Sequence, residues 1–77
     1  AFLMSANDLE RQKDLAAESA LHHLDACYQE LEHAEQALRD AGLAGHALGI
    51  QWARRKVAVQ QMDLRLLRQA FRDEAHH

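Results

Sequence analysis

Apolar side chains recur at every third or fourth position through most of the chain, the spacing that places them along one side of an α-helix. In the first half the pattern predicts a helix over about residues 8–41, with its apolar positions in a single broad stripe. The members of this stripe are Ala17, Ala20, Leu21, Leu24, Cys27, Tyr28, Leu31, Ala34, Leu38 and Ala41. The opposite side is charged, so we expect an ordinary amphipathic helix that packs through one face.

The second half, about residues 46–72, is also helical in its spacing but is apolar on two opposite sides. One stripe contains Ile50, Ala53, Val57, Gln60, Leu64, Leu67 and Phe71. The other contains Leu48, Trp52, Val59, Met62, Leu66 and Ala70, with Arg55 at its edge. The first helix can cover only one stripe, and folded monomers rarely leave an apolar patch of this size in water. The alternative is that both stripes merge into one wide core face with Trp52 half exposed.

The segment Gly42-Leu43-Ala44-Gly45 is the one break between the two helical patterns. Gly42 suits the left-handed residue that commonly ends a helix, and a turn as short as 42–45 returns the second helix antiparallel to the first. Residues 5–73 are therefore expected to form a single helical hairpin. The ends, 1–4 and 74–77, are expected to be disordered or foreign to the native protein.

Two antiparallel helices in a chain of 77 residues make a small core that usually needs extra stabilisation. Cys27 is the only cysteine, so no disulfide can form within the chain. Self-association is the remaining common source of stability, and two hairpins related by a two-fold axis form a four-helix bundle. We therefore expect an all-α homodimer. The predicted protein interface consists of Leu48, Trp52, Arg55, Val59, Met62 and Leu66.

Charge divides unevenly between the halves: residues 1–41 carry a net charge of −6 and residues 42–77 a net charge of +3. This asymmetry favours two helices lying side by side. Two polar strips separate the apolar stripes of the second helix, a narrow one with Lys56 and Asp63 and a basic one. A basic strip can bind nucleic acid or an acidic protein, although the whole chain is acidic. The basic strip consists of Arg54, Arg65, Arg68 and Arg72.

Residues of metal-binding type lie one or two turns apart on the first helix. They are His23, Cys27, Glu30 and His33. The second helix offers no inward carboxylate to complete such a site, although two copies could do so across a dimer axis. The simpler interpretation makes the histidines solvated and Cys27 an apolar core residue. No phosphate-binding loop and no activated nucleophile is indicated, so we expect no enzyme and no cofactor.

The outline of a short acidic helical hairpin resembles small co-chaperones of bacterial export systems and small phage-encoded or mobile-element inhibitors of host proteins. The resemblance implies a non-catalytic protein-binding module, such as an adaptor, small chaperone or regulator. The alternatives are a small nucleic-acid-binding regulator that uses the basic strip and a metal-binding helical bundle. A lone cysteine and the lack of a long apolar run lead us to expect a cytoplasmic location and no membrane insertion.

Overall fold

A computed structural model describes residues 6–75, with side chains described for residues 8–74. Two α-helices account for nearly all of this range: α1 from Ala6 to Asp40 and α2 from Ala44 to Ala75. They lie antiparallel against each other and form a rod 59 Å long. No strand occurs between residues 6 and 75. The prediction of an all-α fold with two helices is therefore confirmed.

The helix ends differ from the predicted ends by a few residues. Helix α2 begins at Ala44 rather than near residue 46, so the turn is shorter than the predicted 42–45. It also continues to Ala75, so residues 74 and 75 are helical and not part of a disordered end. Residues 1–4 and 76–77, the rest of the predicted disordered ends, lie outside the described part of the chain.

The turn is closed by a Schellman motif, the common helix ending in which a left-handed residue lets two backbone N–H groups bond back to the last turn. Gly42 has a φ of +79°, as predicted for this position. Its N–H donates to the carbonyl of Arg39 at 3.1 Å, and the N–H of Leu43 donates to the carbonyl of Leu38 at 2.8 Å. The carbonyl of Leu43 then accepts from the N–H groups of His46 and Ala47, which starts α2. Three residues, 41–43, thus link the end of α1 to the start of α2.

The two helices meet along an inner seam, whose positions are spaced alternately by three and four residues on both helices. On α1 the seam residues are Glu10, Asp14, Ala17, Leu21, Leu24, Tyr28, Leu31, Glu35 and Leu38. On α2 they are Ala47, Ile50, Arg54, Val57, Gln61, Leu64, Arg68 and Phe71. All are buried or half-buried. This is the seven-residue repeat of a coiled coil, which fits the antiparallel packing of two long straight helices.

The seam on α2 is rotated from the predicted apolar stripe, because polar residues occupy three of its positions. Gln60 and Leu67, expected in the core, are exposed, while Gln61 is buried. The Gln61 amide donates to the carboxylate of Asp25 on α1 at 2.6 Å. Opposite charges on α1 draw Arg54 and Arg68 into the remaining two positions. The prediction that Cys27 fills the core is also wrong, since its thiol is exposed on α1.

The predicted attraction between the halves takes the form of ion pairs at both ends of the hairpin. Arg68 lies 2.9 Å from Asp14 and 3.2 Å from Glu18. At the other end Arg54 lies 3.5 Å from Glu32 and 3.1 Å from Glu35. These pairs join an arginine of α2 to acids of α1 in the antiparallel alignment. They therefore fix the register as well as the direction of the hairpin.

Candidate functional site

A row of large apolar side chains faces solvent on the side of α2 that points away from α1. The five residues are between 55% and 67% exposed: Leu48, Trp52, Val59, Met62 and Leu66. Ala47, Val57 and Gln61, on the α1 side of the same helix, are at most 9% exposed. Helix α2 is therefore apolar on its inner side and again on its outer side. The merged core face considered for the sequence does not form.

The outer row has the spacing of a second coiled-coil seam once Arg55 is included. Steps of four and three residues alternate from residue 48 through residue 66, as they do along the inner seam. At 1.5 Å per residue this row is about 27 Å long. We call these six residues the outer seam: Leu48, Trp52, Arg55, Val59, Met62 and Leu66. A seam of this length and regularity has the pattern that receives another helix.

Near its start the outer seam contains a small recess. Leu48, Gln51, Trp52 and Arg55 line it. The Arg55 guanidinium carbon lies 5.3 Å from the centre of the Trp52 ring, within the range of a cation–π contact. This contact holds the arginine along the indole, so the recess keeps an apolar floor and a charged rim. The interface predicted from the sequence does not include Gln51. Its position could have been identified, because Leu48, Gln51, Trp52 and Arg55 have the i, i+3, i+4 and i+7 spacing that places residues on one side of a helix.

The predicted basic strip is largely used within the hairpin. Arg54 and Arg68 belong to the inner seam, and Arg72 lies 3.2 Å from Asp14. Within residues 8–74, Arg65 is the member of the strip that forms no ion pair. The structure therefore does not present these four arginines as one continuous surface for a phosphate backbone. Three of the four, Arg54, Arg68 and Arg72, form ion pairs with acidic residues of α1.

The predicted metal candidates lie along one flank of α1 and do not converge. In the described range no three histidine, cysteine, aspartate or glutamate side chains are placed to hold a metal ion. His23, Cys27, Glu30 and His33 are all exposed. Each of these side chains is of a type that can bind a metal, but within one described hairpin they do not surround a common point.

A shallow apolar groove follows the same flank of the hairpin, between the two helices. Small side chains of α1 form one wall and larger side chains of α2 form the other. The lining includes Ala16, Ala20, Leu24, Leu64, Leu67 and Phe71. His23 and Asp63 lie at one end and Lys13 at the other. Its large apolar side chains, those of Leu24, Leu64, Leu67 and Phe71, are fewer and less exposed than those of the outer seam. The outer seam is therefore the leading candidate for binding.

Within residues 6–75, neither helix contains a stretch that is both long and apolar enough to cross a membrane. Comparisons with protein-family models, with curated proteins and with solved structures find no match to this chain. Function has to be inferred from the surfaces of the two helices.

Proposed function

We propose that this chain is a small non-catalytic protein-binding module that acts as a homodimer through the outer seam of α2. The observation that supports this most directly is the exposure of five large apolar residues in coiled-coil spacing on one helix. Exposed apolar patches of this continuity mark protein interaction sites. Trp52 and Arg55 are of the residue types that dominate binding energy in interfaces.

The position of the outer seam determines the proposed assembly. Because the seam lies on the side of α2 away from α1, a dimer places the two α2 helices at its centre and the two α1 helices outside. The four helices then form an open layer rather than a closed square bundle. The flank groove of each hairpin stays accessible in this arrangement, and so do the exposed residues of α1. A dimer of this kind can act as an adaptor, small chaperone or regulator that presents helical surfaces to a further protein.

The test replaces one outer-seam residue by a charge. Trp52→Glu places a carboxylate where the dimer excludes water, and an unpaired buried charge costs several kcal/mol. We expect dimerisation to weaken more than a hundredfold, since each 1.4 kcal/mol changes a dissociation constant about tenfold. Size-exclusion chromatography with light scattering measures the mass, and circular dichroism checks that the helices remain.

Leu15→Glu provides a matched control. Leu15 is 62% exposed, close to the 63% of Trp52, but it lies on α1 without a row of apolar neighbours. The same charge is therefore introduced at the same exposure away from the outer seam, and the dimer should persist. A Trp52→Glu variant that remains a dimer would remove the proposed role of the outer seam.

A further inference from the structure

We infer that the outer seam also binds an acidic amphipathic helix of another protein, which displaces the second copy of the chain. This inference rests on the proposed function, because it takes the outer seam as the binding surface, and it adds the charge of the partner. It starts from four exposed charged residues in or beside the seam that form no ion pair within residues 8–74. They are Arg55, Lys56, Asp63 and Arg65.

These charges lie within the outer seam and along both of its edges. A turn of about 100° per residue places Lys56 and Asp63 along one edge and Arg65 along the other, while Arg55 belongs to the seam itself. In a coiled coil the charged positions beside the apolar seam select the partner helix. A partner on the outer side of α2 therefore meets an apolar middle and a net positive charge.

The hairpin does not neutralise this charge. The acids of α1 lie on the other side of α2, where Arg54 and Arg68 pair with them. Arg55 lies against the Trp52 ring, a cation–π contact that does not cancel its charge. The outer side of α2 thus stays basic although the net charge of the whole chain is −3.

A second copy meets the outer seam with the same charges. In a symmetric dimer each copy brings its own bases to one interface, so like charges gather there whether the two α2 helices run parallel or antiparallel. Electrostatic complementarity disfavours such a pairing relative to a partner of opposite charge. A helix with acidic residues beside its apolar seam offers the same apolar contact without the repulsion. It therefore binds more tightly than the second copy does.

A nucleic acid is the other anionic partner that three bases could attract. It fits this surface less well, because Trp52, Val59 and Met62 lie between the two edges and are each at least 60% exposed. A phosphate backbone offers no apolar surface to cover them, whereas burial of apolar area is the main favourable term in protein association. The surface as a whole matches a partner that is apolar along its middle and acidic along its edges.

Two designed peptides test the charge of the partner. Both are helical and carry leucine in alternating three- and four-residue spacing over about 20 residues, enough to follow the outer seam at 1.5 Å per residue. One has glutamate beside the leucines, and the other has lysine at the same positions. Fluorescence anisotropy of labelled peptides measures binding at about 0.15 M salt, where charges more than about 8 Å apart are largely screened.

We expect the glutamate peptide to bind roughly tenfold more tightly than the lysine peptide, since several exposed ion pairs of modest strength act together. An excess of the glutamate peptide should also convert the dimer into a complex of one chain and one peptide. Native mass spectrometry measures that change.

Neutralising the bases of the outer side should remove the preference. In Arg55→Gln/Lys56→Gln/Arg65→Gln we expect the two dissociation constants to agree within about twofold. The matched control removes the same charge from three exposed positions of α1 and should keep the preference, and circular dichroism checks that both variants remain helical. The control is Arg11→Gln/Lys13→Gln/Arg39→Gln.

Equal binding of the two peptides, binding of neither, or a preference that survives the outer-side substitutions would overturn the inference. A DNA duplex that binds more tightly than the glutamate peptide at the same salt would overturn it as well. The proposed function survives each of these results if Trp52→Glu still converts the dimer into a monomer. A native chain that is a monomer but prefers the glutamate peptide would instead contradict the dimer and support the acidic partner.

Discussion

The guanidinium of Arg54 lies 3.1 Å from the carboxylate of Glu35, within the inner seam where α2 packs against α1. The carboxylate side chain is 9% exposed and the arginine side chain 20%. Arg54 also lies 5.4 Å from the centre of the Tyr28 ring, and its Nε is buried without a hydrogen-bond partner among the described residues. A charged pair thus occupies a position that the seven-residue repeat normally gives to an apolar side chain.

Removing one member of this pair should destabilise the hairpin, and removing both should not. Arg54→Met leaves the buried Glu35 carboxylate with Arg39 alone, and we expect a loss of about 2 kcal/mol, less than for a fully buried pair. Arg54→Met/Glu35→Leu replaces the pair by packed apolar groups and should recover or exceed the original stability. Urea unfolding at one protein concentration measures both variants. An Arg54→Met midpoint equal to that of the unmutated protein would contradict the proposed importance of the pair.

Two glycine substitutions should have opposite signs. Gly42→Ala forces a side chain into the left-handed conformation at φ +79° and should cost about 1 kcal/mol. Gly49→Ala, inside α2, should stabilise the helix by about 0.5–1 kcal/mol, because glycine is a poor helix former. A Cβ at either position meets nothing within 4 Å, so both effects come from the backbone. Thermal unfolding should show shifts of several degrees in opposite directions, and shifts of the same sign would refute the assignment of the turn.

Acid should destabilise the end of the hairpin opposite the turn, because it protonates the Asp14 carboxylate that pairs with Arg68 and Arg72. Desolvation raises the pKa of this carboxyl, but hydrogen bonds from Arg68 and Arg72 and their positive charges outweigh it, so the pKa lies below the ordinary value of 3.8. A lowered pKa in the folded state stabilises the fold above the ordinary value, and that contribution is lost as the pH falls through the folded pKa.

The comparison that isolates this contribution is Asp14→Asn, which has no carboxyl to protonate. Melting temperatures measured from pH 6 down to pH 2 should fall less for this variant than for the unmutated protein. The difference should develop below about pH 4. Parallel declines for the two proteins would mean that the Asp14 pairs contribute nothing to stability.

Cys27 reports which surface the dimer uses. Its thiol is exposed on the flank of α1, one turn beyond His23 in the groove, and not on the outer seam. A dimer through the outer seam leaves Cys27 open, so a thiol reagent should label the native dimer nearly as fast as the unfolded chain. A closed bundle packed through the groove would bury the thiol and slow labelling by orders of magnitude. Strong protection of Cys27 in the dimer would therefore exclude the open arrangement.

The sequence predicts the hairpin because its signals are local. The periodic spacing defines each helix, and Gly42 is the residue type that ends a helix in the left-handed conformation. The opposite net charges of the halves indicate their pairing before any contact is known. The exposed row from Leu48 to Leu66 can also be predicted from one helix alone. Each residue turns the helix by about 100°, so residue numbers are enough to place this row half a turn from the other apolar stripe.

The details of the inner seam could not be predicted in the same way. The three- and four-residue spacing of the apolar stripe selects positions 60 and 67, but the helix is rotated so that Gln61 and Arg68 face α1. That rotation depends on partners such as Asp14 and Asp25, which are more than 30 residues away in sequence. The prediction for Cys27 fails for the same reason. Its position fits the apolar pattern of α1, but α2 packs along Leu24, Tyr28 and Leu31, and Cys27 lies to one side of that line.

The central claim is that the outer seam of α2 joins two copies of the chain. Sedimentation equilibrium across a range of concentrations, with the unmutated protein beside Leu66→Glu, tests it most directly. We predict a mass approaching twice 8.8 kDa for the unmutated protein at high concentration and a mass of 8.8 kDa for Leu66→Glu at every concentration. A single-chain mass for the unmutated protein throughout, or a dimer that Leu66→Glu leaves intact, would contradict the claim.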